Sequence, residues 1–204
     1  MTALREFTFD DLFKFNRIVL DPLTEVYSIS FFMAKILEFP MLAKVAVAPN
    51  GKLVGFILGS RVIKDELVGD GKDLDLISSH GHVSALSIDH EFRRLGLGSL
   101  LMERLHTSLD QQRDWYVFLF VRSKNQGAIR FYQLLGYVKY RWLPHFYGDD
   151  SGYEMRLPLP RDIERICLKE KDNMVEGFYS AGKQLVRLLM RCLVRLKNTI
   201  LKAL

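Results

Sequence analysis

Glu91-Phe92-Arg93-Arg94-Leu95-Gly96-Leu97-Gly98, with the apolar run Val83 to Ile88 before it and the helical pattern Ser99 to Leu109 after it, decides how this chain folds. It reads as a buried strand, a tight basic turn bearing two glycines, and a helix whose first amides are left free. The first turn of a helix has unsatisfied N–H groups and a positive dipole end, and Gly96 and Gly98 lack the Cβ that would keep an anion away. Arg93 and Arg94 add charge beside it. The pattern predicts a phosphate-holding turn, although a glycine turn after a strand is by itself an ordinary connection.

Before the turn, His80-Gly81-His82-Val83-Ser84-Ala85-Leu86-Ser87-Ile88 alternates as a strand does. That alternation would put His82, Ser84, Leu86 and Ile88 on one face and Val83 and Ala85 on the other. His-x-His can ligate a metal, but no cysteine or carboxylate stands at ligand spacing nearby, so no metal site is expected. With an unperturbed pKa of about 6.5, His82 could instead relay a proton from an ammonium or donate to a polar side chain.

After the turn, Leu100, Leu101, Leu105 and Leu109 supply the core stripe of a helix, with Glu103, Arg104 and Gln111 to Arg113 facing out. Trp115 to Val121 is a continuous apolar run, as in a strand covered on both faces. A second helix starts around Gln126 and stops at Gly136, placed as a left-handed C′ residue. Tyr132 falls seven residues after Asn125, on the same side of that helix. Tyr137 to Tyr147 and Tyr153 to Leu159 read as the last two strands, joined by a loop from Gly148 to Gly152.

Nearer the start, Thr8-Phe9-Asp10-Asp11 sets a hydroxyl three residues before an acid, a helix-start pattern, and helical spacing continues through Leu12, Phe13, Phe15, Ile18 and Val19 to Asp21-Pro22. A short helix spans about Ile29 to Phe39 and is closed by Pro40. Phe31, Phe32, Met33, Ile36 and Leu37 nearly encircle it, which suits ordinary core and suits a partner-docking surface. Ala43 to Ala48 and Leu53 to Val62 flank Pro49-Asn50-Gly51, whose Asn-Gly fits a type I′ hairpin turn. Lys64 to Ser79 reads as a solvated loop.

A chain of 204 residues, 49% hydrophobic and 26% charged, is one globular domain with room for an appendage. Its net charge of +5 invites a nucleic-acid reading, but residues 161–204 hold ten Lys and Arg against five Asp and Glu, leaving nineteen of each sign in residues 1–160. The body is neutral and offers a polyanion no electrostatic footprint. Cys167 and Cys192 have neither disulfide nor metal spacing, and Met1 to Glu6 carries no secretory pattern, so a cytoplasmic, reducing compartment is expected. From about Tyr179, Leu185, Leu188, Leu189, Cys192, Leu196 and Ile200 form an apolar face beside a stripe of Lys183, Arg187, Arg191, Arg195 and Lys202. Arginines through the middle make it a poor membrane span. An anionic membrane surface is possible for such a helix, but packing on protein is favoured.

The spacing Arg93-x-x-Gly96-x-Gly98 between a strand and a helix resembles the motif with which the Gcn5-related acetyltransferases (GNAT) wrap the pyrophosphate of acetyl-CoA. Leu20-Asp21-Pro22-Leu23-Thr24-Glu25, His80 to Ser87, Glu91 to Leu97, Leu119-Phe120-Val121-Arg122 through Asn125-Gln126, and Leu135-Gly136-Tyr137 are similar, in the same order, to the catalytic subunits of NatB N-terminal acetyltransferases. The similarity runs over roughly residues 1 to 162. It implies an α/β fold of the α+β type: a GNAT domain over 1–160 with a mixed, mostly antiparallel sheet, flanked by helices and splayed near its centre. Residues 161–204 would be appended as a basic amphipathic helical tail.

The resemblance also implies an activity, direct transfer of acetyl from acetyl-CoA to the α-amino group of chains beginning Met-Asp, Met-Glu, Met-Asn or Met-Gln. A large helical-repeat auxiliary subunit, able to dock the enzyme at the ribosome, is implied as partner. Leu86 and Ile88 would pair their backbone with the cofactor, and Arg93, Arg94, Gly96, Leu97, Gly98, Ser99 and Asn125 would complete its site. Asn125 would also orient the reacting amine, Tyr132 would protonate the leaving thiolate, and His82 would serve as relay. Glu25, Tyr27, His82, Ser84, Phe146 and Tyr147 would line the peptide groove. Phe146-Tyr147 stands where the family shows a tyrosine pair, so one hydroxyl is missing. No cysteine lies in residues 1–160, which excludes a cysteine thioester intermediate there.

Overall fold

The computed structural model describes residues 2–14, 18, 25, 27–63 and 79–169. Seven strands form one sheet: β1 (Ala3–Glu6), β2 (Ala43–Val47), β3 (Leu53–Ile63), β4 (Ser79–Ile88), β5 (Tyr116–Arg122), β6 (Val138–Tyr147) and β7 (Asp150–Pro158), in the order β1-β2-β3-β4-β5-β7-β6. All neighbours are antiparallel except β4 and β5. That parallel pair needs a crossover, supplied by α2 (Leu97–Gln111), while α1 (Ile29–Glu38) precedes the sheet's main run and α3 (Gln126–Leu134) follows β5.

β3 separates two cores, which is why its residues Leu53 to Ser60 are all buried. On one face α2 lays Leu101, Met102, Leu105 and Leu109 against Ile57, Val83, Val117 and Leu119. On the other, α1 sets Phe32 and Ile36 against Phe7, Val45, Phe56, Leu58 and Ala85. Each such side chain contributes about 1.5–3 kcal/mol of burial. The close approach of α2 rests on Gly81, where an added Cβ would run into Leu109.

β4 departs from simple alternation. Leu58 pairs with Ala85 but Gly59 pairs with Val83, so Ser84 is an extra residue bulged out of the ladder. Side chains beyond it change phase: Val83 shares the α2-side core with Leu86 and Ile88, while Ala85 joins the α1-side core. The expectation that His82 and Ser84 share a face with Leu86 and Ile88 is therefore corrected. Pairing with β5 stops at the same place, covering only Gly81–Val117, His82–Phe118 and Val83–Leu119. A bulge bends its strand, and β4 and β5 stay unpaired from Ser84 and Phe120 onward.

Three local expectations also change. The start at Thr8 is a 3-10 turn, Phe9–Phe13, capped by reciprocal contacts between Thr8 and Asp11. The β2–β3 turn is not type I′, because only Gly51 takes a positive φ (79°) and its N–H bonds the Ala48 carbonyl. Pro49 fixes the φ of a type I turn, and Gly51 follows it in the left-handed region. Between β6 and β7 only Gly148 and Asp149 form the turn, since Tyr147 pairs with Asp150. The expected helix through Phe15 and Val19, the loop from 64 to 78 and the amphipathic tail from Tyr179 lie outside the described residues.

Candidate active site

The gap between β4 and β5 has its own unused backbone. The Asp89 N–H bonds the Val54 carbonyl, so by strand alternation Ser87 and Ala85 also address β3, and Ile88, Leu86 and Ser84 address the gap. Two of their carbonyls are taken: Ser84 accepts from the Tyr27 hydroxyl at 3.3 Å, and Ile88 accepts from Arg93 Nε at 3.1 Å. Both groups of Leu86 and the N–H of Ile88 face the opening beyond the ladder with β5. A thread-like amide chain could lie there and pair with them as a missing strand would.

At the end of β4 the turn passes through Arg94, at φ 65°, and Gly96, at φ 78°, into α2. Gly96 is the N-cap and no side chain caps this helix end, so the N–H groups of Leu97, Gly98 and Ser99 are open to an anion. Arg93, Arg94, Gly96 and Ser99 are exposed around them. Leu97 is 7% exposed and its side chain belongs to the core, so its contribution to a ligand is its amide alone. The absence of Cβ at Gly98 serves packing too: an added one would lie 3.2 Å from Cζ of Phe131 on α3. That contact packs the first turn of α2 against the later half of α3.

Asn125 caps α3, its Oδ1 accepting from the Ala128 N–H at 3.1 Å. Its oxygen is thus occupied by the fold, and the Nδ2 donors are what remain for a ligand. Tyr132, expected in the same helix, packs on Phe131 and on Tyr137 with ring centroids 5.3 and 5.8 Å away. Burial pushes its phenol up to about 12, so it is protonated at neutral pH.

A groove lined by aromatic rings opens on the α1 side of the sheet. The His82 ring stacks on Phe118 at 4.6 Å, and its Nδ1 lies 3.3 Å from Ser84 Oγ. Phe120 packs on Phe146 at 4.7 Å, and Phe146 on Tyr147 at 5.0 Å. Phe146 therefore joins this row of rings with no hydroxyl to offer. Tyr27 stacks on Phe31 of α1 at 4.1 Å. Burial, then the nearby Tyr27 and Glu25, drives the Tyr147 phenol well up.

Arg122 joins these residues, and sequence reasoning passed it over. Its Nη2 donates to Glu25 Oε1 at 2.7 Å, its guanidinium lies 4.4 Å from the Tyr147 ring centroid, and Asp150 Oδ2 is 3.9 Å away. It fastens the Glu25 segment to the β6–β7 hairpin across the groove mouth. Only its place at the end of β5, beside the recognised Asn125 segment, could have flagged it. Among the described residues no group of three His, Cys, Asp or Glu is placed to hold a metal ion, and no helix is long and apolar enough to cross a membrane.

Known proteins resemble this chain along most of its length. The model of the acetyltransferase (GNAT) family matches residues 11–137. N-alpha-acetyltransferase 20 of Dictyostelium discoideum is 42% identical over 167 residues, which are 81% of this chain and 90% of that protein. The N-terminal acetyltransferase B complex catalytic subunit of Schizosaccharomyces pombe is 38% identical over 177 residues, 83% of this chain and 92% of its own. Among solved structures, Chaetomium thermophilum Naa20 in complex with a bisubstrate analogue matches with a TM-score of 0.74 at 33% identity, over 83% of this chain and 93% of that one. A NatB acetyltransferase complex bound to CoA and MES matches at 0.65 and 28% identity, over 78% and 99%.

Proposed function

The chain belongs to the acetyltransferase (GNAT) family, and from that we propose that it transfers acetyl from acetyl-CoA to the α-amino group of proteins, as a NatB-type catalytic subunit. Its substrates in this reading begin Met-Asp, Met-Glu, Met-Asn or Met-Gln. The observation that carries the proposal is the slot that opens at the Ser84 bulge and ends at an uncapped helix N-terminus. The slot has free amides for a pantetheine arm, the helix end has free amides for a pyrophosphate, and the aromatic groove meets them from the opposite side.

The co-substrate supplies an activated acetyl thioester; the chain supplies placement. The Leu86 N–H, facing the slot, is suited to hydrogen-bond the carbonyl oxygen as negative charge gathers there. An α-amino group has a pKa of about 7.7–8.0, so His82, steadied by Ser84, needs to remove a proton only from the charged fraction. Asn125 Nδ2 and the Tyr27–Tyr147 side of the groove hold the amine end of the peptide in line. In this reading Tyr132 offers a protonated phenol to the departing sulfur. Complete transfer from a phenol at about 12 to a thiolate whose acid lies near ~8.5 is uphill. Tyr132 therefore keeps its proton and acts as a hydrogen-bond donor to the sulfur, and the proton the amine releases on attack is the one the departing thiolate takes up.

The exposed side of α1 supports the partner. Ile29, Met33 and Leu37 recur every fourth residue at 64%, 41% and 66% exposure, followed by Met41 at 53%. We assign this apolar stripe to the auxiliary subunit, and through it to nascent chains at the ribosome in the cytoplasm. The test is acetylation of a peptide panel by the chain purified with its native partners. Met-Asp, Met-Glu, Met-Asn and Met-Gln starts should be preferred, and equal turnover of Met-Asp and Ser-Ala starts would defeat the assignment.

A further inference from the structure

His106 is a half-buried titratable group with no part in the chemistry above. It lies on α2 between the core residues Leu105 and Leu109, and its Nε2 is 2.8 Å from the hydroxyl of Tyr137. Tyr137 is 2% exposed and follows Gly136, which turns the chain out of α3 at φ 92°. Its ring lies 5.8 Å from that of Tyr132 at 58°, and its N–H donates to the Tyr132 carbonyl at 3.0 Å. Tyr137 thus forms the wall against which Tyr132 rests, and its own buried hydroxyl needs a partner.

We propose that His106 is a positioning residue for acetyl transfer, anchoring Tyr137 so that the Tyr132 phenol is held at one angle toward the leaving sulfur. The inference rests on the catalytic reading of Tyr132. The chemistry suits the task. Burial holds the imidazole down at about 4, so at neutral pH it is uncharged, and either ring tautomer can satisfy the phenol without bringing a cation beside two tyrosines. Without it, the Tyr137 hydroxyl is left unpaired in the core. The ring must then shift toward another partner, and the wall behind Tyr132 shifts with it.

The test is steady-state acetylation by the intact chain with its partners, comparing His106→Leu, His106→Gln and Tyr137→Phe. His106→Leu should lower kcat about three- to tenfold, the worth of one hydrogen bond, with KM for peptide and for acetyl-CoA unchanged. His106→Gln, whose amide can still meet the phenol, should restore most of it. Tyr137→Phe keeps the ring and removes the hydroxyl; it should repeat the leucine effect, and it serves in place of His106→Leu if that variant does not fold. In a Tyr132→Phe background both losses should vanish. A loss of the same size in that background, or a rise in KM in place of a fall in kcat, would overturn the inference while leaving Tyr132 catalytic. If Tyr132→Phe alone keeps full kcat, the catalytic reading fails, and the inference falls with it.

Discussion

Arg122→Gln tests whether the groove mouth is held shut by a single cation. The substitution removes the 2.7 Å contact to Glu25 and the cation over Tyr147, while Lys124 keeps Asp150 at 3.1 Å. A hydrogen bond to a charged group contributes about 1.5–3 kcal/mol, and a cation–π contact about 0.5–1 kcal/mol where partly exposed. Side-chain exposures of 21% for Arg122 and 33% for Glu25 mean that solvent screens part of this. About 2 kcal/mol is then left to be found when the peptide binds and must order the Glu25 segment itself. That raises the peptide KM about thirtyfold, with kcat and the KM for acetyl-CoA little changed, because Arg122 touches neither the amide slot nor Tyr132. Initial rates with a Met-Asp peptide at saturating acetyl-CoA measure it, beside Glu25→Gln and the double variant. The two single losses should not add. An unchanged peptide KM, or additive losses, would mean the two walls keep their spacing without this pair.

The other predictions concern separate parts of the molecule. Burial would raise the Asp11 carboxyl, but bonds from Arg5 and Thr8 outweigh it and hold it below the usual range. Its stabilisation is therefore complete above about pH 4 and lost as pH falls further; urea melts of Asp11→Asn should show a deficit of about 1–3 kcal/mol at pH 7 that closes in acid. Tyr132→Phe should cut kcat about 10²-fold with calorimetric acetyl-CoA binding intact. With this phenol raised to about 12, the wild-type kcat should not decline around pH 10, and an alkaline limb centred there would contradict the assignment. Gly96→Ala puts a side chain at φ 78° with nothing within 4 Å of its Cβ, so its cost is backbone strain, about 1–2 kcal/mol. Thermal melting should register the loss, and the KM for acetyl-CoA should rise.

What the sequence made legible was local. The Arg93 to Gly98 turn, the β-type run from Trp115 to Val121 and the left-handed Gly136 each depend on neighbours within a few residues and fall in a turn, a strand and a helix end as read; the α2 stripe holds at Leu101, Leu105 and Leu109 but is completed by Leu97 and Met102, with Leu100 only half-buried. The resemblance then supplied roles that spacing could not. The bulge at Ser84 was hidden because it exists only in the pairing with β3: the strand alternates cleanly on paper and slips only when paired. Arg122 and Glu25 are 97 positions apart, and their pairing exists only once the fold brings Glu25 to the end of β5. Nothing local marks His106, whose partner Tyr137 comes off a different helix 31 positions later. Asn125 was identified, but the claim of its own helix on its oxygen was not.

The surplus residue in β4 has a consequence for how this chain can vary. Deleting the position at 84 would leave Leu86 and Ile88 on their present faces, restore the period of two and remove the bend, so that β4 could run on along β5. The slot would close although every other named side chain was kept. Length at that point, more than the identity of any side chain, decides whether the centre of the sheet is a doorway or a seam.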